Sequence, residues 1–358
     1  MSEKPSRGPG RRNVNHKGVN LALQGGGAHG AFTWGVLDKF FEDDRIWIDC
    51  ISGTSAGAMN TVVAAQGMYE NGAIGARQRL AEFWSEVSKA AATSPIQRSL
   101  WARAMGSWSL DTSPGYQMMN LMQRMASPYD FNPFQFNPLR DVVERLVDFD
   151  KVQHCMDMGV FLSATNVETG RVKVFKREEI SLDATMASAC LPYLFQAVEI
   201  DGVPYWDGGF MGNPPLFPFF HGSPSTDILI VQINPVERSG TPKAAADIQN
   251  RINEITFNSA LLHELRAIDF VGRLLDAGQL DPDQYRHMRL HIVHARDRML
   301  HLDASSKLNA EWAFLQHLFE IGRQTADHWL AAHFDDLGQR SSIDIRTMFD
   351  GLAVLPEV

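Results

Sequence analysis

Along the first quarter of the chain, short continuous apolar runs alternate with stretches of helical period. Residues 19–23 (VNLAL) and 46–53 (IWIDCISG) read as strands buried on both faces. Between and after them the apolar positions recur at helical spacing, predicting helices over about 28–41, 56–66 and 72–91. A strand–helix–strand–helix order argues for an α/β fold with a mostly parallel central sheet covered by helices.

Residues 92–137 break that rhythm. Trp101, Met105, Trp108, Met118, Met119, Met122, Met125, Phe131, Phe134 and Phe136 lie among scattered prolines. Two readings stand for this stretch: an acyl-binding lid, because methionine and tryptophan suit irregular apolar grooves and interfaces, or a helical part of the core. The helix NPLRDVVERLVDF follows, then strands over 160–165 and 172–175 and a short helix in LDATMASAC, stopped by Pro192. Strands near Val198 and Val203 flank an Asp201-Gly202 turn, as in a hairpin. DILIVQINP reads as a buried strand and RLHIVHA as a last one. A long helix carries Ile248, Ile252, Ile255, Leu262 and Leu265 on one face, and another covers about 309–334.

Composition narrows the function classes. The 358 residues are 44% apolar and 21% charged, ordinary for a globular chain with a sizeable core, and the net charge of −9 gives no reason to expect nucleic-acid binding. No run approaches the roughly 18 apolar residues of a membrane span. Three well-separated cysteines, Cys50, Cys155 and Cys190, suggest a reducing compartment and neither a disulfide framework nor a zinc site. No calcium loop or metal cluster is legible, so no cofactor is expected. The first 17 residues read as a disordered basic tail, with weak attraction to anionic lipid through Lys4, Arg7, Arg11, Arg12 and Lys17 as the functional alternative.

The candidate chemistry begins where the first strand ends. Gly25, Gly27 and Gly30 spell G-x-G-x-x-G between strand and helix, the formal dinucleotide fingerprint. A dinucleotide site needs an acidic residue at the end of the second strand, and Asp49 lies near that strand's start. What stands at its end is GTSAG, Gly53 to Gly57, the nucleophile-elbow pattern, in which a sharp turn lifts the Ser55 hydroxyl above the sheet edge. A neighbouring glycine turn, Gly25, Gly26 and Gly27 with Ala28, could then offer backbone N–H groups to the oxygen of an ester attacked by Ser55. The serine needs a base. His294, His29, His221 and His263 are candidates, each with a surface or capping role as the simpler reading. Asp207, in YWDGGFMGNPP, is another: Gly208 and Gly209 allow a tight turn that aims its carboxylate into a pocket, although Asp-Gly turns are common.

Taken together, Gly-Gly-Gly-x-x-Gly, then Gly-x-Ser-x-Gly about two dozen residues on, then Asp-Gly-Gly, resemble the patatin-like phospholipase family over about residues 18–235. The resemblance implies a three-layer α/β/α sandwich and lipid acyl hydrolysis by a Ser–Asp dyad without histidine, with Ser55 as nucleophile, Asp207 as its base partner and Gly25, Gly26 and Gly27 lining the oxyanion hole. Many members have Arg or Lys where His29 stands, which would put a group titrating near neutrality on the oxyanion side. The expected organisation is a catalytic domain over 18–235 with 92–137 inserted, and a helical extension over 236–358 packed on it. The expected function is a phospholipase A or lysophospholipase, cytoplasmic or peripheral at a membrane surface, acting on a lipid or another apolar ester. The alternatives are an esterase for a neutral glyceride or storage polyester, and a non-catalytic nucleotide-binding or interaction protein. Head-group preference and oligomeric state have no sequence signal.

Overall fold

The computed structural model describes residues 16–349. Most of the basic tail therefore lies outside the described residues. Lys17 does not belong to it: it opens the first strand, and its ammonium donates to the carbonyls of Phe334 and Asp335 at 2.9 and 3.2 Å.

The chain runs β1 (Lys17–Leu23), α1 (Gly30–Glu42), β2 (Ile46–Gly53) and α2 (Ala56–Ala91). The helices expected over 56–66 and 72–91 meet within α2 at a kink, where Asn71 and Gly72 have non-helical backbone, the latter at φ 60°. Next come α3 (Leu100–Ala104), α4 (Pro114–Met125), α5 (Pro128–Phe131), α6 (Pro138–Leu146) and α7 (Phe149–Gln153). They are followed by β3 (Gly159–Asn166), β4 (Val172–Lys176), α8 (Leu182–Ser188), β5 (Val198–Ile200) and β6 (Val203–Asp207). The last part holds α9 (Pro218–Gly222), β7 (Asp227–Val231), α10 (Ala245–Asp276), β8 (Arg289–Val293), α11 (Arg296–Met299) and α12 (Trp312–His333). The β5–β6 hairpin turns on Asp201 and Gly202, both at positive φ, as the sequence predicts.

One sheet has the order β5-β6-β3-β2-β1-β7-β8, with β4 also paired to β3. From β3 to β8 along that path every pairing is parallel, and β4, β5 and β6 pair antiparallel. The stretch after residue 235 is therefore not only helical: it supplies β8, the outermost strand beside β7. Alternation along the central strands divides the core in two. Val19, Leu21 and Leu23 of β1 and Leu229 and Val231 of β7 face α1, α2 and α12. Ala22, Ile228 and Ile230 face the other way, onto Phe219 of α9 and Leu261, Leu265 and Ile268 of α10. Helices thus cover both faces of the sheet, the three-layer α/β/α arrangement.

Helices α1 and α12 cross with almost no separation. A Cβ on Gly35 would meet the Phe319 carbonyl oxygen, and one on Gly322 the Phe32 carbonyl. At the rim of this crossing Asp38, 6% exposed, is bracketed by Arg77 and Arg323, which also reach Glu42.

The apolar face expected along α10 is only half used. Leu265 is fully buried and Leu262 partly so, but Ile248, Ile252 and Ile255 are exposed, because the early turns bury a different stripe, the polar Asn250, Glu254 and Asn258, which continues into Leu261, Leu265 and Ile268. The 92–137 stretch is anchored at a few points: Trp108 packs on Phe314 and under Arg98, whose guanidinium bonds Glu311 at 2.6 and 3.0 Å. Its outer surface is not core. No residue of α4 is buried, and Met125 and Phe134 are 78% and 93% exposed.

Candidate active site

The strands β1 and β2 are parallel neighbours, so the turns at their ends stand side by side. Ser55 occupies the turn after β2 with φ 54° and ψ −120°, a conformation costly for any residue with a Cβ, by about 1–3 kcal/mol. It is held there by two bonds: its N–H donates to Ser188 Oγ at 2.9 Å, and its carbonyl accepts from Met59 N–H at 3.1 Å in the first turn of α2. The flanking glycines allow the helix to start against the strand. A Cβ on Gly57 would lie 2.2 Å from the Leu23 carbonyl, and one on Gly53 2.4 Å from the Gly57 carbonyl. Thr54, buried beneath, shares the Gly212 carbonyl with Ser163 through its hydroxyl.

The glycine turn after β1 packs against the elbow and against two distant segments. A Cβ on Gly25 would stand 2.7 Å from the Ser55 Cβ. At Gly26 it would meet Ile233, and at Gly27, which sits at φ 59°, the Lys307 carbonyl. Gly30 is likewise closed off, by Ala56. The close approach these glycines permit is thus first of all to the protein's own chain. Of the N–H groups expected to face a substrate oxygen, that of Gly25 is already committed to Asn213 Oδ1 at 2.7 Å. Those of Gly26, Gly27 and Ala28 have no acceptor among the described residues, nor has that of Ala56, at the positive end of α2.

Asp207 ends β6. Its N–H donates to the Cys190 carbonyl at 2.8 Å and its carbonyl accepts from Thr165 Oγ1 at 2.8 Å, which fixes the backbone on both sides. The Asp-Gly-Gly spacing then has a direct use. A Cβ on Gly208 would strike the Ser163 carbonyl, and Gly209 N–H returns to Asp207 Oδ1 at 2.7 Å. The residue is 1% exposed, and burial pushes its pKa up to about 6 against the opposing pull of the Gly209 N–H and the nearby Ser55 hydroxyl. Its second oxygen, Oδ2, is buried without a hydrogen-bond partner of ordinary geometry. The side chain therefore has a vacant acceptor in a water-poor site beside a serine.

The histidines are placed elsewhere. His29 is buried, with Nε2 2.8 Å from Ser306 Oγ and its ring edge-on to Phe314. Burial, then the charges of Lys307 and Arg238, hold its pKa well below the usual value, so it is neutral and does not titrate near pH 7. His294 accepts from Arg296 N–H and is exposed, as are His221 and His263. None of the four bonds to Ser55 or Asp207 among the described residues.

Several supporting residues carry no motif. Gln24, fully buried at the end of β1, accepts the N–H groups of Ile233 and Asn234 at 2.9 Å each and donates to Asn258 Oδ1. Asn234 donates to the Gly25 carbonyl at 2.7 Å. Ser188 and Asn213 hold Ser55 and Gly25 as described. Only their positions beside quoted motifs could have suggested them: Asn213 lies in the Asp-Gly-Gly stretch and Asn234 in the INP that follows β7.

A serine elbow after β2 thus stands beside the glycine turn after β1, with a buried aspartate at the end of β6, two strands away in the same sheet. The model of the patatin-like phospholipase family matches residues 21–220, more than half of the chain, and the chain belongs to that family. Among solved structures it is similar to VipD from Legionella pneumophila, at 13% identity and a TM-score of 0.30 over 86% of this chain and 67% of that one. It is also similar to ExoU from Pseudomonas aeruginosa in its complex with SpcU, at 14% identity and a TM-score of 0.29 over 87% and 53%. The chain thus spans between half and two thirds of the length of these proteins. No curated protein sequence matches it.

Proposed function

We propose that the chain is a lipid acyl hydrolase of phospholipase A or lysophospholipase type in which Ser55 is the nucleophile and Asp207 its base. The observation that carries this reading is the strained Ser55 beside the unpartnered Oδ2 of a buried Asp207. In the reaction, Ser55 Oγ attacks the ester carbonyl carbon while its proton passes to Asp207 Oδ2. The carbonyl oxygen, now negative, takes N–H donors from Gly26 and Gly27, with Ala28 and Ala56 adjoining. Collapse expels the alcohol, which takes the proton from Asp207 and leaves an acyl-serine. Water, deprotonated by the same carboxylate, then attacks the acyl carbon, and collapse expels Ser55 Oγ, which takes the proton back from Asp207 as the fatty acid leaves.

An aspartate with an ordinary pKa near 3.9 would be a poor base for a serine hydroxyl. Desolvation raises its basicity, which is why burial of Asp207 suits this role. Cofactor chemistry is not required by this sequence of steps.

The apolar outer surface supports an apolar, aggregated substrate. Met118, Leu121, Met122 and Met125 on α4, with Phe134 and Phe136, form an exposed set suited to peripheral contact with a bilayer. The segment is tied to the site's frame. Tyr129 OH accepts from Ala197 N–H and the Asn132 carbonyl from Gln196 Nε2, close after Ser188 in sequence. No described helix is long and apolar enough to cross a membrane.

Fatty-acid release from diacylphospholipid vesicles, lysophospholipid, triacylglycerol emulsion and a storage polyester tests the substrate. The expected result is release from phospholipid or lysophospholipid at a rate exceeding the other two by at least about tenfold. Preference for polyester or triacylglycerol would keep the mechanism and replace the substrate. Release from none, with saturable NAD or ATP binding instead, would overturn the reading.

A further inference from the structure

Lys307 lies far along the chain from the glycine turn, in a short helical turn, Ser305–Leu308, that packs onto it. Its carbonyl occupies the space a Gly27 side chain would fill, 2.4 Å from the ideal Cβ position. Its ammonium donates to Asn234 Oδ1 at 2.8 Å, and Asn234, 1% exposed, passes the contact on: Nδ2 donates to the Gly25 carbonyl at 2.7 Å. The peptide joining Gly25 and Gly26 is planar and trans, so its carbonyl and its N–H point in opposite directions. Holding the Gly25 carbonyl against Asn234 therefore fixes the direction of the Gly26 N–H.

We propose that Lys307 is a positioning residue for ester hydrolysis: through Asn234 it locks the Gly25–Gly26 peptide and polarises the Gly26 N–H toward the substrate oxyanion. This rests on the hydrolase reading above. An ammonium on the carboxamide oxygen makes the carboxamide N–H a stronger donor, and a stronger bond at the Gly25 carbonyl makes the Gly26 N–H a stronger donor in turn. The Gly25 N–H cannot serve instead, because Asn213 already accepts it.

The surroundings leave the Lys307 charge free to act. Among the described residues no carboxylate bonds to its ammonium. Glu254, the nearest negative influence, is already gripped by Arg238 at 2.8 Å and by Arg251 at 3.1 Å. On the glycine turn itself the facing group is His29, which is neutral. On its own segment Asp303 is engaged with Ser305 Oγ and the Ser306 N–H. Desolvation, with Arg238 adding to it and Glu254 opposing, pulls the Lys307 pKa down to about 8, although part of the residue keeps contact with solvent. Rising pH therefore removes this charge near pH 8, earlier than for an exposed lysine.

The test is kcat and KM for 4-nitrophenyl octanoate between pH 5 and 10. The wild type should show an alkaline decline in kcat near pH 8. Lys307→Met should lower kcat at pH 7 by about 10- to 100-fold, less than the 10²–10³ of a lost oxyanion donor, with KM changed less than about threefold. It should also abolish the alkaline decline. Lys307→Arg, which keeps the charge, should recover most of kcat and move the decline beyond pH 9. A wild-type kcat flat from pH 7 to 10, read on the unmutated protein, overturns the proposal even if the variants fail to fold. So does a folded Lys307→Met with kcat within twofold of wild type. Ester hydrolysis that survives Ser55→Ala would sink the hydrolase reading itself and this inference with it, whereas hydrolysis lost in Ser55→Ala but indifferent to Lys307 would sink only the inference.

Discussion

Ser55→Ala should lower ester turnover by about 10⁴- to 10⁶-fold while leaving the far-UV circular dichroism spectrum unchanged. The size follows from chemistry: without Oγ there is no acyl-serine, and only binding and the oxyanion donors remain to assist attack by water. The structural indifference follows from the elbow. The backbone at residue 55 is held by Ser188 Oγ and by the first turn of α2, and both bonds are made by main-chain atoms that alanine keeps. Alanine also keeps the Cβ, and with it the cost of φ 54°, so stability should change by less than about 1 kcal/mol. Ser55→Gly sheds that Cβ and should be more stable than the wild type by about 1 kcal/mol, equally inactive, and readable by urea unfolding. A destabilised Ser55→Gly would mean that the surroundings impose no strain at this position.

Asp207→Asn should cost about 10²–10⁴ in kcat, because an amide cannot take the Ser55 proton. The same residue sets the acid side of the pH profile. Only the carboxylate form is a base, so with a pKa pushed up to about 6 by burial the wild-type kcat/KM should fall below pH 6, not below pH 4. The stability consequence has a definite sign. Between about pH 4 and pH 6 the folded chain keeps a proton on Asp207 that the unfolded chain has lost, so stability falls as pH rises through that window. Above pH 6 the penalty is complete, on the order of 3 kcal/mol for a shift of this size. Asp207→Asn carries no buried charge and should unfold at higher urea concentration than the wild type at pH 8. At pH 4 the two should be nearly equal. A mutant less stable at pH 8 than at pH 4 relative to wild type would show that the carboxylate is stabilised where it lies.

What the sequence discloses about this site is what local chain geometry dictates. Three consecutive glycines, a serine between glycines and an aspartate before two glycines each mark a turn that no other residues could make. The structure places all three on strands of one sheet, β1 and β2 side by side and β6 beyond β3. The strands were legible for a similar reason, since burial on both faces leaves an unbroken apolar run. The supports were not legible. Asn234, Asn213, Gln24 and Lys307 act through hydrogen bonds across long stretches of chain, and no spacing marks them; adjacency to a motif points at most to Asn213, Asn234 and Gln24, and nothing points to Lys307. His29 is the sharpest case. Its place inside the glycine motif suggests a group titrating at the oxyanion, whereas its ring turns inward to Ser306 and stays neutral. The stripe of isoleucines on α10 shows the converse limit: periodicity gives an apolar face, but the early turns of the helix bury the polar stripe of Asn250, Glu254 and Asn258 in its place.

The central claim is that Ser55 is an activated nucleophile and Asp207 the group that activates it. A fluorophosphonate probe reacts with a serine only when its hydroxyl is so activated, and peptide mapping by mass spectrometry locates the adduct. The account predicts a single adduct on Ser55 in the wild type, none in Ser55→Ala, labelling slowed at least about 100-fold in Asp207→Asn, and undiminished labelling in His294→Ala and His221→Ala. An adduct on another residue, or labelling of Ser55 that is indifferent to Asp207 and lost with a histidine, would contradict it.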